Sequence, residues 1–257
     1  GQILGNAVRR VGAAGLAGQR YAGIAVQGVG GVVISANILA EIGGQSETAS
    51  AGILVQPPFL GVTISGNQVY GDLTAANELA DWQAIRIGRL LDDGGVDGGG
   101  FGSAVNGFTA NVPAFEATDL VYVNVADETW AASAGSFAIL VPVSRSQVTV
   151  SDNQGRAAQP LAGAMVSLVD PRATGLSFTG NHFELRFDGG LREVVLLGAP
   201  RVSATGNHVT HDTDATSLRI VTGPGGAATP IGNITSGAID LQPGGLPPAF
   251  AALNLTA

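Results

Sequence analysis

The stretch GVTISGNQVY, residues 61–70, decides the fold. Val62 and Ile64 alternate with small polar residues, and alternation with a period of two residues is typical of a strand with one buried face. Gly66 and Asn67 follow as a turn pair, since both residue types tolerate backbone angles that most others avoid. Alternation then resumes. The stretch therefore predicts a strand, a tight corner and a second strand.

This unit recurs along the chain with a near-constant spacing. The corner asparagine has seven aligned copies: Asn6, Asn37, Asn67, Asn153, Asn181, Asn207 and Asn233. Neighbouring copies lie about 26 to 31 residues apart, and a fixed period in this range indicates a solenoid. We expect the longer gap between Asn67 and Asn153 to hold three turns of about 29 residues. Each turn carries about three short strands, which pair in parallel with their equivalents in the next turn.

The repeat predicts an all-β fold, a single-stranded parallel β-helix of about nine turns. It spans residues 1–241, with irregular turns and a Gly-rich loop at about 88–119, and a Pro-rich segment follows over 242–257. Inward-pointing corner asparagines need hydrogen-bond partners, so we expect them to stack as an internal amide ladder. The alternative is that each Asn only forms a turn.

The pattern resembles the right-handed parallel β-helix family, the pectin-lyase-like superfamily. The resemblance implies right-handed winding and a range of activities, from polysaccharide lyases, hydrolases and epimerases to phage tailspikes and surface adhesins. The chain departs from the family's catalytic motifs. Arg219-Ile220 is followed by Val221 where polygalacturonase-like hydrolases carry Lys, and Asp170-Pro171 lacks the His-Glu that follows in alginate epimerases.

Composition excludes several function classes. The chain of 257 residues has 12 basic and 20 acidic residues and a net charge of −8, so we predict no nucleic-acid partner. It has no Cys, which excludes disulfides and thiol chemistry. No apolar run approaches the ~20 residues of a membrane span, so we predict no membrane insertion. Because Gly1 already lies inside a repeat, we expect a fragment or a processed chain.

An acidic Gly-rich loop is the candidate metal site. Asp92, Asp93 and Asp97 lie in the string DDGGVDGGG, and carboxylates on a flexible loop can wrap a hard cation. Calcium is therefore the one possible cofactor, and otherwise we predict none. The alternative is a solvated loop.

A polar patch after the corners of two neighbouring turns is the candidate catalytic site. His182 and His208 follow equivalent asparagines, so they should stack one strand spacing apart with Glu184 beside them. A His next to a carboxylate can act as a general base. The alternative is an ordinary polar exterior. The side chains predicted to bind a ligand near this patch are Arg156, His211 and Asp212.

Trp130, in ADETWAAS, is the best candidate for an exposed aromatic ring. Glycan-binding surfaces favour such rings, so a binding role is predicted. The alternative is that the ring packs over the side of the coil.

Two function classes follow. The first is a non-catalytic β-helix module of a fibre, adhesin or tailspike, located outside the cell or on the cell or virion surface, in a homotrimer or larger assembly and in contact with glycans or other chains. It is favoured by the missing catalytic motifs and by an exterior rich in small residues. The second is a carbohydrate-active enzyme, a polysaccharide lyase, hydrolase or epimerase that uses the His182, His208 and Glu184 patch.

Overall fold

The computed structural model of the chain describes most of its residues. These are residues 1–11, 21–42, 50–56, 59–71, 82–87, 121–134, 136–139, 146–159, 164–169, 173–186 and 193–256. The Gly-rich loop predicted at about 88–119 lies wholly outside the described residues.

The described chain is built almost entirely from short strands. In chain order the first are β1 (Gln2–Leu4), β2 (Ala7–Arg9), β3 (Tyr21–Gln27), β4 (Gly31–Ser35), β5 (Ile38–Ala40), β6 (Ser50–Gln56), β7 (Gly61–Ser65), β8 (Gln68–Tyr70), β9 (Trp82–Ile87), β10 (Val121–Ala126), β11 (Thr129–Ala134) and β12 (Ser136–Ile139). Those that follow are β13 (Ser146–Ser151), β14 (Gln154–Gln159), β15 (Val166–Val169), β16 (Gly175–Thr179), β17 (His182–Leu185), β18 (Glu193–Gly198), β19 (Arg201–Thr205), β20 (His208–His211), β21 (Thr216–Val221), β22 (Ala227–Ile231), β23 (Ile234–Thr235), β24 (Ile239–Gln242), the single helical turn α1 (Pro248–Ala251) and β25 (Leu255–Thr256).

The strands form three parallel sheets that wind around one core. Sheet 1 has the order β1-β4-β7-β10-β13-β16-β19-β22, sheet 2 the order β2-β5-β8-β11-β14-β17-β20-β23-β25, and sheet 3 the order β3-β6-β9-β12-β15-β18-β21-β24. From β1 to β24 every third strand therefore joins the same sheet, and neighbouring strands pair in parallel, as β4 and β7 do. The prediction of an all-β parallel solenoid is confirmed.

The period-two alternation of the sequence places one apolar row of each strand inside the coil. In sheet 1 this row contains Ile34, Ile64, Val125, Val150 and Phe178, all fully buried. Burial of each such side chain contributes about 1.5–3 kcal/mol. Apolar residues are the register partners of apolar residues, so each turn covers the apolar row of the turn before it.

The prediction of about nine turns is wrong. In the described residues sheets 1 and 3 contain eight strands each, and β25 extends sheet 2 alone. The error lies between Asn67 and Asn153. The described part of this interval supplies one corner position, Glu128, which makes two turns instead of three.

The Pro-rich segment after residue 241 covers the last turn instead of leaving the solenoid. The turn α1 returns the chain to the corner, where Asn254 bonds to Asn233 and β25 pairs with β23. In the described residues no helix is long and apolar enough to span a membrane.

Candidate functional site

A ladder of side-chain hydrogen bonds fixes the corner between sheets 1 and 2. The Nδ2 group of Asn37 donates to Oδ1 of Asn67 at 2.8 Å, and Asn181 donates to Asn207 in the same way at 2.9 Å. The ladder runs along the whole solenoid through Asn6, Asn37, Asn67, Glu128, Asn153, Asn181, Asn207, Asn233 and Asn254. The predicted amide ladder is confirmed.

Each interior asparagine also holds the backbone of neighbouring turns. Asn181 donates from its backbone N–H to Oδ1 of Asn207 at 3.1 Å and from Nδ2 to the carbonyl oxygen of Val150 at 3.1 Å. The amide thereby satisfies donors and acceptors that would otherwise be buried without partners. Each interior asparagine therefore joins three consecutive turns, and the ladder gives the outer faces a fixed frame.

Glu128 occupies a ladder position that the sequence analysis did not identify. Its Oε1 accepts the backbone N–H of Asn67 at 3.0 Å and Nδ2 of Asn67 at 2.8 Å. The signal was present in the sequence, because VNVADE at 123–128 matches VTVSDN at 148–153 once Glu is allowed at the corner. Asn254 follows the turn α1 and lacks the preceding strand pattern, so no such signal marks it.

The two predicted histidines do stack on the outer face of sheet 2. His182 in β17 is the register partner of His208 in β20, and their ring centroids lie 4.6 Å apart with planes inclined by 22°. They form the histidine patch with Glu184 and Arg156. Two imidazoles offer fewer ligands than the three protein ligands typical of a catalytic zinc site.

Glu184 is engaged by two arginines. Arg186 donates to Oε1 of Glu184 at 2.8 Å, and Arg156 lies 2.7 Å from Oε2. Partial burial tends to raise the pKa of Glu184, but the hydrogen bond from Arg186 and the charge of Arg156 outweigh it and hold the pKa below its ordinary value. An ionised carboxylate with both oxygens paired is a poor partner for orienting a neighbouring imidazole. General-base chemistry at His182 or His208 stays a prediction.

His211, predicted to bind a ligand, is directed into the coil. It is 8% exposed, with Nε2 2.7 Å from Oγ of Ser217 and Nδ1 3.0 Å from Oγ1 of Thr213. Ser217 in turn accepts the backbone N–H of Gly237 at 2.7 Å. Burial lowers the pKa of His211. These contacts make His211 a structural link between turns, while Asp212 beside it is exposed.

The candidate exposed ring at Trp130 is wrong. The alternative of a packed ring is nearer, although the ring lies inside the coil and not over its side. Trp130 is 2% exposed and lies in the core, where its centroid is 6.3 Å from that of Phe183. The ring fits there because Gly155 is its register partner in the next turn, and a Cβ at Gly155 would collide with the indole. Trp130 is the register partner of the buried Val69 in the preceding turn. Register partners face the same side of a sheet, so the side chain of Trp130 points inward.

The candidate metal ligands Asp92, Asp93 and Asp97 lie outside the described residues. Within the ranges that the structure does describe, no group of three or more His, Asp or Glu side chains could hold a metal ion.

The outer face of sheet 1 is nearly free of charge. Its two central outward rows contain mostly hydroxyl residues: Val33, Thr63, Asn124, Thr149, Ser177, Ser203 and Thr229, and Ser35, Ser65, Ala126, Ser151, Thr179, Thr205 and Ile231. Hydroxyls of adjacent turns touch, as Thr179 and Thr205 do at 3.1 Å. Among the outward positions of the described strands of this sheet, Arg201 is the one charged residue.

No protein-family profile, curated protein or solved structure is significantly similar to this chain.

Proposed function

We propose that this chain is a structural β-solenoid module of a surface or extracellular assembly, and that copies of it associate through the outer face of sheet 1. The observation that carries the proposal is the nearly uncharged, hydroxyl-rich character of that face in a chain of net charge −8. A pectin-lyase-like relationship and right-handed winding belong to the same proposal.

Charge distribution supports association between identical chains. Two copies with eight excess negative charges each repel one another least where the approaching surfaces carry no carboxylates. The strands of sheet 1 meet this requirement along the described length of the solenoid. Exposed apolar side chains are also spaced along this face, with Leu4 and Tyr122 each 50% exposed and Ile231 at the far end. The face therefore offers apolar contacts without charge repulsion.

The dimensions of the face are sufficient for a stable contact. Eight strands about 4.8 Å apart and five residues of about 3.3 Å each give a face of roughly 35 by 16 Å. Two such faces bury roughly 1,100 Å² in total, just above the ~1,000 Å² expected of a biological interface. A flat hydroxyl face also needs no large side chains to interlock, since Ser and Thr can hydrogen-bond across the contact or through water.

The histidine patch supports the enzyme alternative less strongly than the sheet 1 face supports the structural module. Its carboxylate Glu184 is held by two arginines, and His211 is buried. The carbohydrate-active enzyme stays a prediction that turnover measurements can decide.

Sedimentation equilibrium of the wild-type chain and of two double variants tests the proposal. Thr149→Glu with Ser177→Glu places two carboxylates at the centre of the sheet 1 face. We expect the wild type to self-associate and this variant to sediment as the 25.7 kDa monomer, since like charges meet across the contact. The matched control is Gln154→Glu with Thr210→Glu on the outer face of sheet 2, which should associate like the wild type.

Two results would overturn the proposal. One is a wild-type chain that is monomeric at every concentration, and the other is equal dissociation of both double variants. Turnover of a polysaccharide by the wild type, lost in His182→Ala with an unchanged circular dichroism spectrum, would establish the enzyme instead.

A further inference from the structure

The ladder contains one acidic residue among eight asparagines, and its environment differs from theirs. Glu128 is 1% exposed, and its Oε1 takes the place of an Asn Oδ1 as acceptor for the two N–H groups of Asn67. Its Oε2 is buried and has no hydrogen-bond partner. Oε1 therefore accepts the hydrogen bonds that the ladder needs, whereas Oε2 is buried without a donor.

Glu128 makes one hydrogen bond fewer to the next ladder position than an asparagine does. In the interior of the ladder each asparagine donates from both its backbone N–H and its Nδ2 to the following Oδ1, as Asn153 does to Asn181 at 3.1 and 2.9 Å. Glu128 donates to Asn153 from its backbone alone, at 3.0 Å. A carboxylate has no proton to give, whereas a neutral carboxylic acid has one acceptor oxygen and one O–H, the same pair of functions as an amide.

We propose that Glu128 is a neutral carboxylic acid in the folded chain and that its ionisation weakens the solenoid at this ladder position. A buried carboxylate with an unpaired oxygen is costly, because charge removed from water needs full hydrogen-bond or ionic compensation. Protonation removes the charge and leaves only a neutral O–H without a partner. The position thereby becomes sensitive to pH, while the amide positions are not.

The neighbouring charge of Asp127 favours the neutral form of Glu128. Glu128 lies at a corner, and the titratable groups at its own and the adjacent described corners are the carboxylates of Asp127 and Asp152. The ladder neighbours on either side, Asn67 and Asn153, do not titrate. Burial raises the pKa of Glu128 from 4.5 to about 8, against the lowering by the hydrogen bonds from Asn67, and the charge of Asp127 adds to the rise.

The direction of the pH dependence follows from proton linkage. Below pH 4.5 the carboxyl is protonated in the folded and the unfolded chain, so its contribution is constant. Between pH 4.5 and about 8 only the unfolded chain releases the proton, so each unit of rising pH lowers the folding equilibrium constant about tenfold. Above about pH 8 both states are ionised and the dependence ends.

Chemical denaturation between pH 4 and 9 tests this inference, with wild type, Glu128→Gln, Glu128→Asn and the control Glu184→Gln. Both substitutions at 128 remove the ionisation and supply an amide, and Asn also has the side-chain length of the other ladder positions. We expect the ratio of variant to wild-type folding constants to rise about tenfold per pH unit from 4.5 to about 8. The Glu184→Gln ratio should show no such rise, because Glu184 is ionised across this range.

A second measurement uses the wild type alone. Its infrared spectrum at pH 6 should contain the carbonyl band of a buried carboxylic acid, absent from Glu128→Gln and lost from the wild type above about pH 8. Parallel stability curves for wild type and both variants at position 128, or a wild type without this band at pH 6, would overturn the inference.

Discussion

Asparagine, at one position in every described turn but that of Glu128, determines the corner geometry of this molecule. Asparagine suits the position because its amide accepts through Oδ1 and donates through Nδ2 along one direction. Asn207 does both at once, since it accepts from Asn181 and donates to Asn233 at 2.8 Å. A shorter or purely accepting side chain breaks this relay.

Replacing Asn181 with alanine should be severely destabilising. The change removes two donors, to Asn207 and Val150, and the acceptor for two N–H groups of Asn153. Each buried group left without a partner costs about 1–3 kcal/mol, so we expect a loss of at least about 3 kcal/mol in urea denaturation. Asn124→Ala on the outer face of sheet 1 is the control, and it should change stability by less than about 0.5 kcal/mol. Equal effects of the two changes would show that the ladder bonds add nothing.

At the residue scale the sequence predicts the ladder well and its exceptions poorly. Seven asparagines share one offset from an apolar position, and this regularity identifies the column. The Gly-Asn pattern does not identify Glu128, because its corner reads Asp-Glu. Glu128 takes the role of an amide only because the neighbouring turns bury it. His211 was predicted on the surface for a related reason: proximity to other polar residues does not show that a side chain at a strand end turns inward to Ser217.

Strands in this fold share their interior space with the turns above and below. The inward column of sheet 2 places the indole of Trp130 over Gly155, with Phe183 on the far side. A large side chain in one turn is therefore compensated by the smallest possible one in the next. Neither strand alone reveals this pairing, since it depends on register.

Gly155→Ala should destabilise the fold by about 1–3 kcal/mol, the usual cost of overpacking a core. The added Cβ would collide with the indole of Trp130. Thermal unfolding followed by circular dichroism checks this, with Gly175→Ala as the matched control because a Cβ there meets no atom within 4 Å. If both variants unfold at the same temperature, the close packing of Trp130 over Gly155 is refuted.

At the element scale the alternation of each strand was predictable, and the chemistry of the outer faces was not. The residues of the histidine patch are brought together as the columns predict. Their electrostatic state depends on Arg186, whose contact with Glu184 depends on side-chain conformation and leaves no repeat signature. The repeat alignment therefore predicts which side chains lie close together, but it does not predict whether they are reactive.

The whole molecule is a rod whose length depends on how the interval between Asn67 and Asn153 is divided. Equal division by the repeat period gives three turns, whereas the structure places Glu128 as the one described corner between the two asparagines. Periodicity assumes equal turns. The step from Asn67 to Glu128 covers 61 residues and the next covers 25, so the two turns are unequal and the repeat period does not count them.

Cysteine pairing tests this assignment most directly, because the native chain has no Cys. Gln68 in β8 is the register partner of Thr129 in β11, and strands that are adjacent in a parallel sheet lie about 4.8 Å apart, within reach of a disulfide. Gln68 and Gln154 are separated by one further strand, roughly 9.6 Å, which is beyond that reach. The account predicts that Gln68→Cys with Thr129→Cys forms an intramolecular disulfide on mild oxidation and that Gln68→Cys with Gln154→Cys does not. A free thiol pair in the first variant would contradict the ladder and the turn count together, and so would a disulfide in the second.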